Sequence, residues 1–126
     1  MNTDKSNQVT KQIIGASYNI SNQLGAGFLE KVYENALVFE LRKSGLYVEQ
    51  QRACNVYYKN QIVGEYYADL LVQRSIIVEL KVAKQLKNIH QAQLMNYLKA
   101  SKLHLGLLIN FGQPKVEIKR ILNGYK

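Results

Sequence analysis

The 126-residue chain is long enough for one domain that buries about two-thirds of its unfolded surface around a single core, and too short for a second. Seventeen Lys and Arg against nine Asp and Glu give a formal charge of +8 and a pI near 9.6, which points to a polyanionic partner such as nucleic acid. A single cysteine, Cys54, excludes a disulfide framework and a thiolate metal cluster, and the polar residues Met1 to Thr10 hold no apolar signal core. With no apolar run of about 18 residues, a soluble, cytoplasmic protein is expected.

Asp4 or Ser6 can cap a first helix on which Val9, Ile13, Ala16, Ile20 and Leu24 recur every three or four residues. Leu24-Gly25-Ala26-Gly27 stops it, and Phe28 to Lys43 form a second helix that ends at Ser44-Gly45, with Gly available for a left-handed cap. On this helix Leu29, Val32, Ala36 and Leu41 supply apolar surface, while Glu30, Tyr33 and Leu37 share another stripe. At the least, Glu30 is a first-turn acid that complements the helix dipole.

Leu46 to Lys59 read as a strand region and Lys59-Asn60-Gln61 as a turn into a partner strand, Ile62 to Val72. Five of the nine tyrosines fall between Tyr47 and Tyr67; as strand residues they are expected in the core more than as stacking platforms for bases. Cys54 is expected as a core thiol.

In Ser75 to Val82 the residues Ile76, Val78, Leu80 and Val82 form one apolar face, and Glu79 and Lys81 share the other, about 7 Å apart along the strand. If the loop is Gln73-Arg74-Ser75, Val72 pairs with Ile76 and Asp69 falls opposite Glu79, with Cβ atoms about 4.5–5.5 Å apart. The loop lacks Gly, Asn and Asp, and a two-residue loop would put the two acids on opposite faces. Opposed carboxylates repel; a divalent cation between them reverses the sign of that interaction. An exposed sheet face carrying a Glu and a Lys is the ordinary alternative.

Lys84 and Lys87 precede a helix capped by Asn88 and running to about Ser101. Gln93 and Tyr97 share a face of it, as do Gln91 and Leu94, with Leu94 and Leu98 available for packing; His90 reads as a polar helix residue, since no second His stands at ligand spacing. Leu103 to Phe111 is apolar and nearly continuous, as in a central strand covered on both faces. Gly112-Gln113-Pro114 turns the chain, and Val116 to Leu122 alternates as an outer strand with Lys115, Lys119 and Arg120 toward solvent.

This order, with Asp69, then Glu79-x-Lys81, then a helix bearing Gln93-x-x-x-Tyr97, resembles the restriction-endonuclease-like PD-(D/E)xK nuclease superfamily. The Gln-x-x-x-Tyr pair is similar to that of its RecB and lambda-exonuclease-like branch. Gly27-Phe28-Leu29-Glu30-Lys31-Val32-Tyr33, Gln91 to Leu98 and Gly106 to Gly112 resemble the GxxExxY proteins. Ala68 departs from the proline that the superfamily name places before the first acid.

The resemblance implies an α/β restriction-endonuclease-like core, a mixed sheet flanked by helices in the order α-α-β-β-β-α-β-β. It implies that Asp69, Glu79 and the Leu80 carbonyl ligate Mg²⁺, with Mn²⁺ able to substitute, and that Glu30 completes the acidic site. Lys81 would orient or activate the attacking water, and Gln93 and Tyr97 would position metal-held water or a phosphate. The expected activity is phosphodiester hydrolysis, with DNA favoured over RNA by superfamily habit and Lys84 and Lys87 on the nucleic acid. The alternative is a nuclease-fold module that binds nucleic acid or protein without cleaving it. No membrane partner is expected, and a homo-oligomer is left open.

Overall fold

The computed structural model describes residues 1–124. Helix α1 spans Thr3–Leu24, and its cap is Asn2 rather than Asp4 or Ser6, because the Asn2 side chain accepts the Lys5 N–H at 2.8 Å. Val9, Ile13 and Ile20 are buried as their spacing predicts, whereas Leu24 is exposed at the last turn. The polar residues on the same face are satisfied locally: Thr10 and Ser17 donate to the Ser6 and Ile13 carbonyls, each at 2.8 Å.

Helix α2 spans Glu30–Lys43, two residues shorter at its start than expected, because Gly27 adopts a φ of +115° and Leu29 is still extended. Its buried stripe is Tyr33, Leu37, Val38 and Leu41, while Leu29 and Val32 are exposed, the reverse of the expected apolar face at this end. Tyr33 sets the rotation. Its ring stacks on Phe111 at 4.7 Å between centroids, and its hydroxyl donates to the Gly25 carbonyl at 2.5 Å and accepts the Phe28 N–H at 3.2 Å. A large ring buried with its polar tip satisfied outweighs two smaller aliphatic side chains.

Five strands follow: β1 Val48–Tyr58, β2 Gln61–Val72, β3 Ile76–Lys81, β4 Leu105–Asn110 and β5 Glu117–Leu122, with helix α3, Asn88–Ser101, between β3 and β4. They form one sheet in the order β1-β2-β3-β4-β5, antiparallel except for the parallel pair β3–β4. Helix α3 supplies the crossover that a parallel pair requires. Lys87, not Asn88, occupies its cap position, and its N–H is taken by His90 Nδ1 at 3.1 Å.

Helices α1 and α2 cover one face of the sheet over Leu70, Val78, Leu80 and Leu107; α3 covers the other through Leu94 and Leu98 over Ile77 and Leu108. β4 is therefore apolar on both faces up to Asn110, and β3 up to Val78, which is why their sequences run there without alternation. Val82, expected to extend the apolar face of β3, lies beyond the strand and is exposed.

The β2–β3 loop is the three-residue one, with Val72 paired to Ile76. Lacking glycine, it places Gln73 and Arg74 at φ of +54° and +56°, and it is held from outside. Tyr47 N–H donates to the Gln73 side chain at 2.6 Å, and Gln73 N–H donates to the Tyr47 carbonyl at 2.8 Å.

The β1–β2 connection is a two-residue turn, Lys59-Asn60, both at positive φ, so Gln61 belongs to the strand. Tyr47, Tyr57, Tyr58 and Tyr67 are exposed, which overturns the expectation that they fill the core. Backbone pairing of β2 with β3 ends at Leu70–Val78, so the hairpin beyond it has no sheet neighbour on that edge. Cys54 is likewise half-buried rather than core, its Sγ 3.0 Å from Ser101 Oγ.

Beyond β3, Asn110 clamps the chain: its side chain accepts the Ala83 N–H and donates to the Ala83 carbonyl, both at 2.9 Å. Gly112 packs against the same peptide, where a Cβ would lie 2.3 Å from the Ala83 oxygen. Among the described residues no helix is long and apolar enough to cross a membrane.

Candidate active site

Asp69 stands where two ladders are interrupted together. On the β1 side the pairs Gln50–Leu70 and Arg52–Ala68 flank it, but Gln51 and Asp69 are skipped, and Gln51 takes a φ of +56°. On the β3 side pairing stops one residue short, at Leu70–Val78. The register would place Asp69 opposite Glu79, and side chains take over there from the backbone. Glu79 Oε2 accepts the Asp69 N–H at 3.2 Å, and Asp69 Oδ2 accepts the Leu80 N–H at 2.8 Å.

Two acids held so close and so deep disfavour each other's charge. Glu79 is only 9% exposed. Burial first, and the Asp69 charge second, push its carboxyl up to about 8. Asp69 is raised too, mainly by burial, against the pull of the Leu80 N–H; Glu34 adds to the rise. Glu30, in the first turn of α2, is raised by burial and then by Asp69, with Lys81 opposing. Lys81, the last residue of β3, is half-buried beside this group.

On the α3 side a cavity of about 230 Å³ brings together Glu79, Lys81, Gln93, Tyr97, His90 and Tyr66. The expected Gln93–Tyr97 stripe thus faces the Glu79–Lys81 pair. Tyr97 is braced by Tyr66, stacked with centroids 3.6 Å apart. His90, which also lines the cavity, is lowered by desolvation and by the charges of Lys81 and Lys87. Lys84 and Lys87 are exposed on the loop into α3 and form no salt bridge among the described residues.

Two residues of the site escaped the sequence reading. Glu34 is 2% exposed, deep beside the site. It accepts Lys31 Nζ at 2.9 Å, Gln50 Nε2 at 2.6 Å and Gln51 Nε2 at 3.1 Å. Gln51 Nε2 also reaches Asp69 Oδ1 at 3.2 Å, so one amide joins the buried Glu34 to Asp69. The available signal was the four-residue spacing from Glu30 to Glu34, one helical turn on a face that also holds Tyr33 and Leu37. For Gln51 there was none, because its left-handed backbone follows from the ladder irregularity and not from its residue type.

The donor set suits a hard cation. It offers carboxylate oxygens, and the buried acid pair Asp69–Glu79, in which each group disfavours the other's ionisation, is an arrangement that positive charge would relieve. Among the described residues no three Asp, Glu, His or Cys side chains are grouped to hold a metal ion by themselves.

A family model described as the PD-(D/E)XK nuclease superfamily matches residues 7–121. The crystal structure of SSO0001 is similar in fold, with a TM-score of 0.56 and 18% sequence identity. The alignment covers 76% of this chain and 50% of that one, so the chain spans about half the length of that relative. A search of curated proteins gave no match.

Proposed function

Because the chain belongs to the PD-(D/E)XK nuclease superfamily, we propose that it is a divalent-cation-dependent nuclease that hydrolyses phosphodiester bonds of nucleic acid. Mg²⁺ is the proposed ion, with Mn²⁺ able to replace it, and DNA the proposed substrate. Within the superfamily we place it among the GxxExxY proteins, on Gly27 to Tyr33. The observation that carries the reading is the cross-bonded pair Asp69–Glu79 at the split between β2 and β3, with Lys81 two residues on.

Asp69 and Glu79, with the Leu80 carbonyl, would hold the ion, which supplies a Lewis acid at the phosphate and a water of lowered pKa. Lys81 places its ammonium where negative charge develops on the phosphate, which a preorganised cation stabilises best. Gln93 and Tyr97, across the cavity, position the phosphate or the water. Glu30 adds negative charge on the α2 side, and Gln51 fixes the orientation of the Asp69 carboxylate. Lys84 and Lys87 contact backbone phosphates, which position a nucleic acid without reading its sequence.

The test is cleavage of single-stranded, double-stranded and branched DNA and of RNA in Mg²⁺, Mn²⁺ or EDTA. Activity on at least one substrate should require the metal, and Glu79→Ala or Lys81→Ala should lose at least about 100-fold, the scale for removing one preorganised charge. Equal rates in EDTA and in Mg²⁺ would overturn the proposal.

A further inference from the structure

The β1–β2 hairpin continues past the last β2–β3 pair, Leu70–Val78, as a two-stranded arm rooted at Asp69 and Gln51. Successive strand residues face opposite ways, so Tyr57 and Tyr58 occupy the two faces of the arm. Both are 62% exposed, and Ile62 and Val63 on the other strand are 60% exposed each. An arm with one apolar face would be a strand awaiting a cover. This one carries exposed apolar side chains on both faces of its tip, and exposed apolar surface of that kind marks an interaction site.

From Gln51 to Asp69 the arm carries two basic residues, Arg52 and Lys59, against two acids, Glu65 and Asp69, so it contributes nothing to the chain's charge of +8. It is therefore not the element that neutralises phosphates. Its root runs into the catalytic cavity, since Tyr66 and Tyr67 line the same space as Glu79 and Lys81. Tyr67 stands at the root and Tyr57 and Tyr58 at the tip, separated by the Asn55–Glu65 pair, with Lys59 Nζ 5.4 Å from the Tyr58 ring centroid. Aromatic side chains of this kind take up bases whose faces are unpaired, and stacking tolerates any sequence. In duplex the base faces are already stacked on one another.

We propose that the arm is a base-stacking element, inserted among unpaired bases next to the bond to be cut, so that the substrate is single-stranded nucleic acid or the single-stranded side of a junction. The proposal rests on the nuclease reading for what is cut, but the arm's binding is separable from cleavage.

The test measures binding in EDTA, where no cleavage occurs, to single-stranded, duplex and forked oligonucleotides. The chain has no Trp, so tyrosine fluorescence follows binding, and the difference between wild type and the Ser variant isolates the share of Tyr57 and Tyr58 among the nine tyrosines. Single strands should quench it and duplex should not. The double variant Tyr57→Ser, Tyr58→Ser should weaken single-strand binding by about tenfold or more and duplex binding by less than about twofold, given what one base–aromatic stack contributes. Tyr57→Phe with Tyr58→Phe should retain the affinity, since the ring and not the hydroxyl does the stacking. Unchanged single-strand affinity in the Ser variant overturns the arm while leaving metal-dependent cleavage, and with it the nuclease reading, untouched. Tyrosine-dependent single-strand binding without cleavage in any metal leaves the arm standing and removes the nuclease. If sedimentation instead shows a dimer that the Ser variant dissociates, with nucleic-acid affinity unmoved, the arm binds a second copy and the proposal falls.

Discussion

Asp69 and Glu79 are joined through each other's strands: Glu79 Oε2 accepts the Asp69 N–H at 3.2 Å, and Asp69 Oδ2 accepts the N–H of Leu80, the residue after Glu79, at 2.8 Å. Each acid of the site therefore also replaces a ladder hydrogen bond that the splayed strands have lost. One oxygen of each carboxyl, Glu79 Oε2 and Asp69 Oδ2, is thus committed to holding the strands, which constrains what substitutions at these positions can show.

Asp69→Asn keeps an oxygen for the Leu80 N–H and removes the charge. Metal-free stability should change by no more than about 1 kcal/mol, with lost repulsion offsetting a weaker hydrogen bond. Asp69→Ala leaves the Leu80 N–H unpaired and should cost about 1–3 kcal/mol. Wild type should melt higher with Mg²⁺ or Mn²⁺ above its Kd, since a ligand of the folded state alone stabilises it, and both variants should lose that gain. Melting curves with and without metal at constant ionic strength decide this; a large loss in metal-free Asp69→Asn would make Asp69 a purely structural acid.

Glu79 sits near 8 in the folded protein against its ordinary 4.5, so between those values the folded state holds the proton more tightly than the unfolded one. Stability from this group is full below about pH 4.5 and is lost as pH rises through about 8, because stability falls with pH wherever the folded state binds more protons. Asp69 and Glu30, also raised, act in the same direction. Urea unfolding in EDTA at a series of pH values should show stability declining across this window, and Glu79→Gln should flatten the decline. A wild-type profile that rises with pH would contradict the burial of Glu79 as an acid. Metal binding should conversely tighten with pH and release protons.

Among the described residues Gln51 is the one amide that bonds both Glu34 and Asp69, and its backbone lies at a φ of +56°, where glycine is at ease. Gln51→Gly should therefore fold with little loss yet weaken metal binding by about 10- to 100-fold, the usual effect of removing a partner that orients a ligand. Calorimetric metal titration reads this without reference to activity. An unchanged affinity would reduce the bridge to packing.

Nucleic-acid affinity should fall steeply with salt, and Lys84→Ala should lower the slope of log K against log salt by up to about one, for one lost phosphate contact. Titrations at several salt concentrations in EDTA measure it; an affinity flat across that range would point to a protein partner.

The element order and the β2–β3 register were legible because hydrophobic period and loop length constrain them strongly. The pairing of Val72 with Ile76 follows from a three-residue loop even though that loop lacks glycine, since Tyr47 supplies the hydrogen bonds that hold it. The face of α2 was misread at its start because Leu29 and Val32 outscore Tyr33 on apolarity, while Tyr33 fills more space and has partners for its hydroxyl. The arm tyrosines were misread because β-propensity reports fit to a pleated surface and says nothing of whether anything covers it. Glu34 was overlooked because an acid on a helix is ordinarily solvated, and only the fold brings Gln50 and Gln51 to it.

β3 meets β2 through three residues but meets β4 only after the α3 crossover. Hairpins close in about 1–10 μs, and pairings distant in sequence arrive later. Asp69 and Glu79 are thus expected to come together in a nascent hairpin before α3 brings Gln93 and Tyr97 across from them. The electrostatic opposition of the two acids then belongs to the rate-limiting ensemble as well as to the finished protein. Divalent cations or mild acid should consequently accelerate refolding, visible in the folding limb of a stopped-flow chevron, and not merely retard unfolding.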